Sequence, residues 1–214
     1  MSYLKRFVVT GSVCPSSRVF GERAAIETAR HAADYDRVIV AGIGSGIVAS
    51  RILARCPDAL FVEIEAPFAD AFRQRHPQAE VMTGPIETLF EHYPDLRGRR
   101  LFLASFVPTA GSFYSDDILR FFVTVCRAGG MVMQMRYLPH QMSGRFFDAL
   151  RGRGVLAQRL FTVARNLPPV SMFGLRAMVA PVQPGSASAA STANAASTGK
   201  RSAPQSIAAR GAGG

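Results

Sequence analysis

Residues 37–46 read RVIVAGIGSG, a short apolar run that passes straight into glycines at three alternate positions. Val38, Ile39, Val40 and Ala41 make the run of a strand buried on both faces of a parallel sheet, and 47–54 read as helix. Gly42, Gly44 and Gly46 therefore sit where a strand crosses into a helix. Glycine lets a chain turn that sharply, and it lets a ligand approach the backbone with no Cβ in the way. A nucleotide-like cofactor is one reading of this turn, and a plain strand-to-helix connection is the other.

Around the turn, strands and helices alternate. Helix is expected over 18–33, strand over 37–41, helix over 47–55, strand over 60–64 and helix over 67–74. A short strand at 80–82, a strand at 101–105, a helix at 115–127 and a strand at 131–137 follow, then a helix beyond Arg145 to Arg151 and strands at 155–164 and 170–179. This order predicts a doubly wound, Rossmann-like α/β sheet of seven strands with a terminal antiparallel pair and ligands at the carboxyl ends of its strands. Near Ala180 the composition changes. Residues 181–214 hold almost no large apolar side chains and cannot offset the entropy of ordering, so they read as a disordered low-complexity tail behind one domain over 1–180.

Other features narrow the classes. No apolar run approaches the roughly 18 residues of a membrane span, and the apolar stretch after Lys5 and Arg6 is too short for the roughly 7 residues of a signal peptide. A cytoplasmic chain, soluble or peripheral on the inner face of a membrane, is expected. Cys14, Cys56 and Cys126 are odd in number and scattered, which fits reduced thiols, and His31, His76, His92 and His140 lie apart, so no metal site is expected. The net charge is +10, and through Ala180 there are 22 basic residues against 15 acidic. That surplus suits an anionic partner such as a phospholipid surface, although an arginine-rich, alanine-rich composition produces the same surplus without function. Aromatic and basic residues do not interleave as on a base-stacking sheet, which argues against nucleic acid.

The strand at 60–64 continues as LFVEIE and ends in Glu65, 19 residues after Gly46. A carboxylate at that address can accept hydrogen bonds from both hydroxyls of a ribose. Glu63, two residues earlier, is the rival, and a purely structural role for either is the alternative.

At this point the residues carry a resemblance. GSVCPSS at 11–17, the glycine loop at 42–46 and RNLPP at 165–169, with Ser105 to Pro108 after the fourth strand and Gln134 to Tyr137 ending the fifth, resemble class I S-adenosylmethionine-dependent methyltransferases. More narrowly, they are similar to bacterial phospholipid N-methyltransferases over roughly residues 4–176. The resemblance implies S-adenosyl-L-methionine as cofactor and phosphatidylethanolamine as the favoured acceptor. It implies that the backbone at Gly42, Gly44, Ser45 and Gly46 holds the methionine portion, that Glu65 holds the ribose, and that Ser16 and Ser17 close over the cofactor from the N-terminal segment 1–17. Ser105, Tyr137 and Asn166 then line the acceptor side as the catalytic candidates, with Arg136, Arg165 and Pro168 as substrate contacts. Methyl transfer is largely a matter of positioning, so few loud catalytic groups are expected.

Two departures stand out. Val40 occupies a position where this group usually carries an acid, and Pro85 occupies another, with Glu87 as a substitute for the second. Arg136 stands where the group tends to have a small hydroxyl residue. Facing inward, it would suit a carboxylate or phosphate and point to methyl esterification of a fatty acid or hydroxy fatty acid, as in a diffusible lipid signal; facing sideways, it would meet solvent. Tyr137 must point to the opposite side of the strand. Three readings follow: N-methylation of a phospholipid, carboxyl methylation of a fatty acid, and a non-catalytic relative that binds lipid or protein. Oligomeric state is left open.

Overall fold

The computed structural model describes residues 17–107, 115–137, 144–166 and 168–178. Ser16, Cys14, Pro108 and the tail over 181–214 lie outside the described residues.

Seven strands form one sheet in the order β3-β2-β1-β4-β5-β7-β6. They are β1 (Arg37–Ala41), β2 (Leu60–Glu63), β3 (Glu80–Thr83), β4 (Leu101–Ser105), β5 (Met131–Tyr137), β6 (Val155–Val163) and β7 (Val170–Ala177). The first five are parallel, β7 runs antiparallel beside β5, and β6 completes the antiparallel edge. The helices are α1 (Arg18–Ala32), α2 (Ile47–Leu53), α3 (Ala66–Arg75), α4 (Leu89–His92), α5 (Asp116–Arg127) and α6 (Gly144–Arg151), and 3-10 turns at Ile86–Thr88 and Pro94–Leu96 flank α4.

Alternation along the buried strands builds two cores, one on each face. Val38, Val40, Phe61, Phe102, Met133 and Met135 meet α1, α2 and α3 through Phe20, Ile52 and Phe72. Ile39, Leu60, Leu101, Leu103 and Val132 meet α5 and α6 through Leu119, Phe122 and Phe146. Helix α1 begins where Ser17 caps it, its side chain accepting from the Phe20 N–H at 3.1 Å. It packs on α2 at Gly21, where a Cβ would come within 3.3 Å of the Arg51 side chain.

The three expected strands at 37–41, 101–105 and 131–137 have those bounds in the structure. Helix α3 starts at Ala66 rather than Pro67 because the Ala69 N–H already reaches the Glu65 carbonyl, which leaves proline in the first turn, where its missing donor costs nothing. β2 stops at Glu63, one residue short of the expected end, and Ile64 beyond it is exposed. No helix among the described residues is long and apolar enough to cross a membrane.

Candidate cofactor and acceptor site

The strand order reverses between β1 and β4, the two neighbours at the centre of the sheet, and the loop after β1 lies at that switch point. Gly42, Gly44 and Gly46 all have positive φ, at 86°, 51° and 83°. At Gly42 a Cβ would come within 3.1 Å of the Phe106 carbonyl carbon, because the segment after β4 runs directly against the turn and the Phe106 N–H donates to the Ala41 carbonyl at 2.8 Å. At Gly44 a Cβ would meet nothing within 4 Å, so the tip of the loop borders open space. At Gly46 that position is taken by the Arg75 guanidinium, which donates to the Ser45 carbonyl at 3.3 Å.

One carboxylate holds this loop, and it belongs to Glu63. Its Oε2 accepts from the Gly44 N–H at 2.8 Å and its Oε1 accepts from the Glu65 N–H at 3.0 Å, with the side chain 5% exposed. Glu65 stands beyond the end of β2, half-buried at the N-cap of α3, where its side chain makes no capping hydrogen bond. The rival at 63 is therefore the acid in contact with the glycine turn. Val40 is fully buried among Phe61, Phe102 and the α2 side chains, so the position that lacks an acid serves packing. Pro85 heads the Ile86–Thr88 turn, with the Thr88 hydroxyl donating to its carbonyl at 2.9 Å. Glu87 lines a shallow depression with Phe90, Arg97, Asp117 and Arg120, on the α5 side of the sheet.

Ser17, the one described residue of the segment at 11–17, meets Asn166 of the segment at 165–169. Asn166 is 3% exposed, its Oδ1 accepts from the Ser17 N–H at 2.8 Å, and its Nδ2 donates to the Pro168 carbonyl at 2.8 Å. One amide thus ties the start of α1 to the β6–β7 connection across 149 positions of sequence. Tyr137 pairs with Val170 in the β5–β7 ladder and packs half-buried on the α1 side of the sheet.

Ser105, by contrast, ends β4 on the α5 side, so it and Tyr137 face opposite ways. Ser105 is fully buried, and its hydroxyl has no hydrogen-bond partner among the described residues. Beside it in the β4–β5 register is Gln134, also fully buried. Its Nε2 donates to the Val107 carbonyl at 2.8 Å and the Met135 carbonyl at 2.7 Å, and its Oε1 has no partner among the described residues. Two residues on, Arg136 faces the same side. It is 3% exposed, not turned into solvent, with its guanidinium 4.4 Å from the centre of the Phe146 ring and 5.2 Å from that of Phe147. Arg165 is exposed on the β6–β7 connection, so the two arginines do not converge. Glu63 and Gln134 are the residues whose weight the sequence understates; the signal for Gln134 is a lone amide in the apolar run MVMQM.

No family model matches the sequence, and no curated protein does. Solved structures match by shape. The CcbJ methyltransferase from Streptomyces caelestis superposes with a TM-score of 0.53 at 14% identity, over 74% of this chain and 90% of that one. The 23S rRNA methyltransferase ErmE gives 0.51 at 15% identity, over 79% and 71%. The fold is that of the Rossmann-like methyltransferases. DesVI from Streptomyces venezuelae has the same architecture, with a TM-score of 0.52 at 11% identity over 75% of this chain and 92% of that one. Within this methyltransferase fold the glycine turn, Glu63 and the ends of β4 and β5 gather along the carboxyl edge of the sheet. No group of three or more potential metal ligands occurs among the described residues.

Proposed function

We propose that the chain is an S-adenosyl-L-methionine-dependent methyltransferase acting on a lipid or other amphiphilic acceptor, with phosphatidylethanolamine favoured. The observation that carries this reading is the glycine turn: three positive-φ glycines at the switch point, an open flank at Gly44 and a buried carboxylate pinning the loop.

S-adenosyl-L-methionine is the expected cofactor, and the residues present suit it. Gly42, Gly44 and Ser45 offer backbone with little steric cover. Glu65 is the carboxylate we assign to the ribose, with Glu63, oriented by two backbone N–H groups, as its rival. The cofactor would supply an electrophilic methyl group on a sulfonium. The chain's task is to orient the acceptor lone pair along the axis of the bond that breaks and to keep water out. We assign that task to Ser105, at the end of the strand beside the turn, and to Gln134, level with it in β5.

The lipid acceptor rests on the basic surplus and on the sequence motifs GSVCPSS and RNLPP, with Ser17 of the first hydrogen-bonded to Asn166 of the second supporting it. Arg136 turned inward favours a second reading, carboxyl methylation of a fatty acid or hydroxy fatty acid. Cells that express the protein in labelled methionine, with lipid extracts resolved by head group and by base lability, separate the two. Base-stable label in the phosphatidylethanolamine derivatives is expected. Base-labile label means esterification, label in RNA means a nucleic-acid acceptor, and no transferred label means a non-catalytic relative.

A further inference from the structure

Ser105 and Gln134 carry a consequence for which acceptor atoms the site can take, and it rests on the methyltransferase reading above. The Gln134 amide has one workable orientation. Its NH2 group faces two carbonyls, and the flipped amide would set an oxygen against both of them. Its Oε1 is thereby turned from those carbonyls and is buried with no partner among the described residues, as is the hydroxyl of its register partner Ser105. Buried polar atoms without partners are rare in folded chains, and each costs stability. Here two of them belong to register partners, Ser105 at the carboxyl end of β4 and Gln134 in the middle of β5, next to the segment that packs on Gly42.

The geometry points to a two-point receptor for a hydrogen-bearing acceptor atom, an amine or a hydroxyl, with Gln134 as the residue that sets the specificity. The Ser105 hydroxyl can donate or accept, whereas the Gln134 oxygen can only accept. A ligand atom there must therefore bring at least one N–H or O–H. An amine that donates to Gln134 has its lone pair held in a fixed direction, ready to form the new N–CH3 bond as the S–CH3 electron pair returns to sulfur; the proton on nitrogen then leaves to solvent. An ionised carboxylate brings only lone pairs and would face the Gln134 oxygen with nothing to share.

The test uses the full chain, wild type and Ser105→Ala, with Gln134→Leu as the companion. S-adenosylmethionine binding is followed by calorimetry, and labelled methyl transfer by incubation with phosphatidylethanolamine vesicles and, separately, with palmitate micelles. Ser105→Ala is expected to unfold at a higher temperature than wild type, since it removes a buried hydroxyl with no partner. It should bind the cofactor within about twofold of wild type and lose about tenfold or more of the transfer to phosphatidylethanolamine, a factor worth about 1.4 kcal/mol. Gln134→Leu should lose transfer at least as far, with palmitate unmethylated by every form. Undiminished transfer by folded Ser105→Ala, or methylation of palmitate in preference to the vesicles, overturns the proposal. Wild-type protein that methylates neither probe overturns it as well, and the calorimetry on the same sample shows whether the methyltransferase reading falls with it.

Discussion

Gly42 and Gly44 have the same backbone requirement and opposite surroundings, which makes them a controlled pair. A side chain at either is strained by its positive φ, at about 1–2 kcal/mol. Gly42→Ala also drives a methyl group to 3.1 Å from the Phe106 carbonyl carbon and should destabilise the fold further. Gly44→Ala meets nothing of the protein, so denaturant unfolding should show only the strain, while cofactor affinity falls by about tenfold or more, about 1.4 kcal/mol. Glu63→Gln replaces one of two accepting oxygens by an NH2 group facing a backbone N–H. It should cost about 1–3 kcal/mol by denaturant titration and weaken cofactor binding with it. The sequence made the turn legible because glycine spacing is a local signal. It could not rank Glu63 above Glu65, because that depends on β2 ending at Glu63, where alternation of side chains stops being a guide.

Between elements, Asn166 is the clearest link. Asn166→Ala removes both bonds, leaves the Ser17 N–H without its acceptor and should cost about 1–3 kcal/mol, whereas Asn166→Asp keeps that acceptor and sets an oxygen against the Pro168 carbonyl in place of the donor. Comparing their unfolding midpoints separates the two bonds. GSVCPSS and RNLPP were both visible as motifs, yet nothing local in either shows that Ser17 and Asn166 touch, since the contact spans most of the domain. The same limit applied to Arg136: strand alternation put it opposite Tyr137, but only the packing of α6 over β5 shows phenyl rings against its guanidinium. On α5, Cys126 is buried with its thiol pushed up to about 12, chiefly by desolvation, which exceeds the lowering from a Val132 backbone hydrogen bond and from Arg176. An unfolded thiol ionises near 9, so the native state keeps a proton that the unfolded state loses. Stability from this group is full below pH 9 and declines as pH rises towards 12, by up to about 1.4 kcal/mol per unit. Cys126→Ala should flatten that alkaline slope, and the native thiol should resist alkylation at neutral pH.

For the molecule as a whole, a doubly wound sheet of seven strands with a terminal antiparallel pair was legible because seven apolar runs with short helices between them leave few topologies open. The division of the site between two faces was not. Tyr137 and Asn166 gather on the α1 side with Ser17, and Ser105, Gln134 and Arg136 gather on the α5 side, while the glycine turn sits at the edge they share. In the proposed function, Glu63 and open backbone hold the cofactor at a turn that has no acids at Val40 and Pro85. Calorimetric titration of S-adenosylmethionine into the full chain, beside Gly44→Ala, tests that most directly. Saturable binding at one site per chain, weakened about tenfold or more in folded Gly44→Ala, is the predicted result. Folded wild-type protein with no saturable binding, or binding untouched by the substitution, would contradict it.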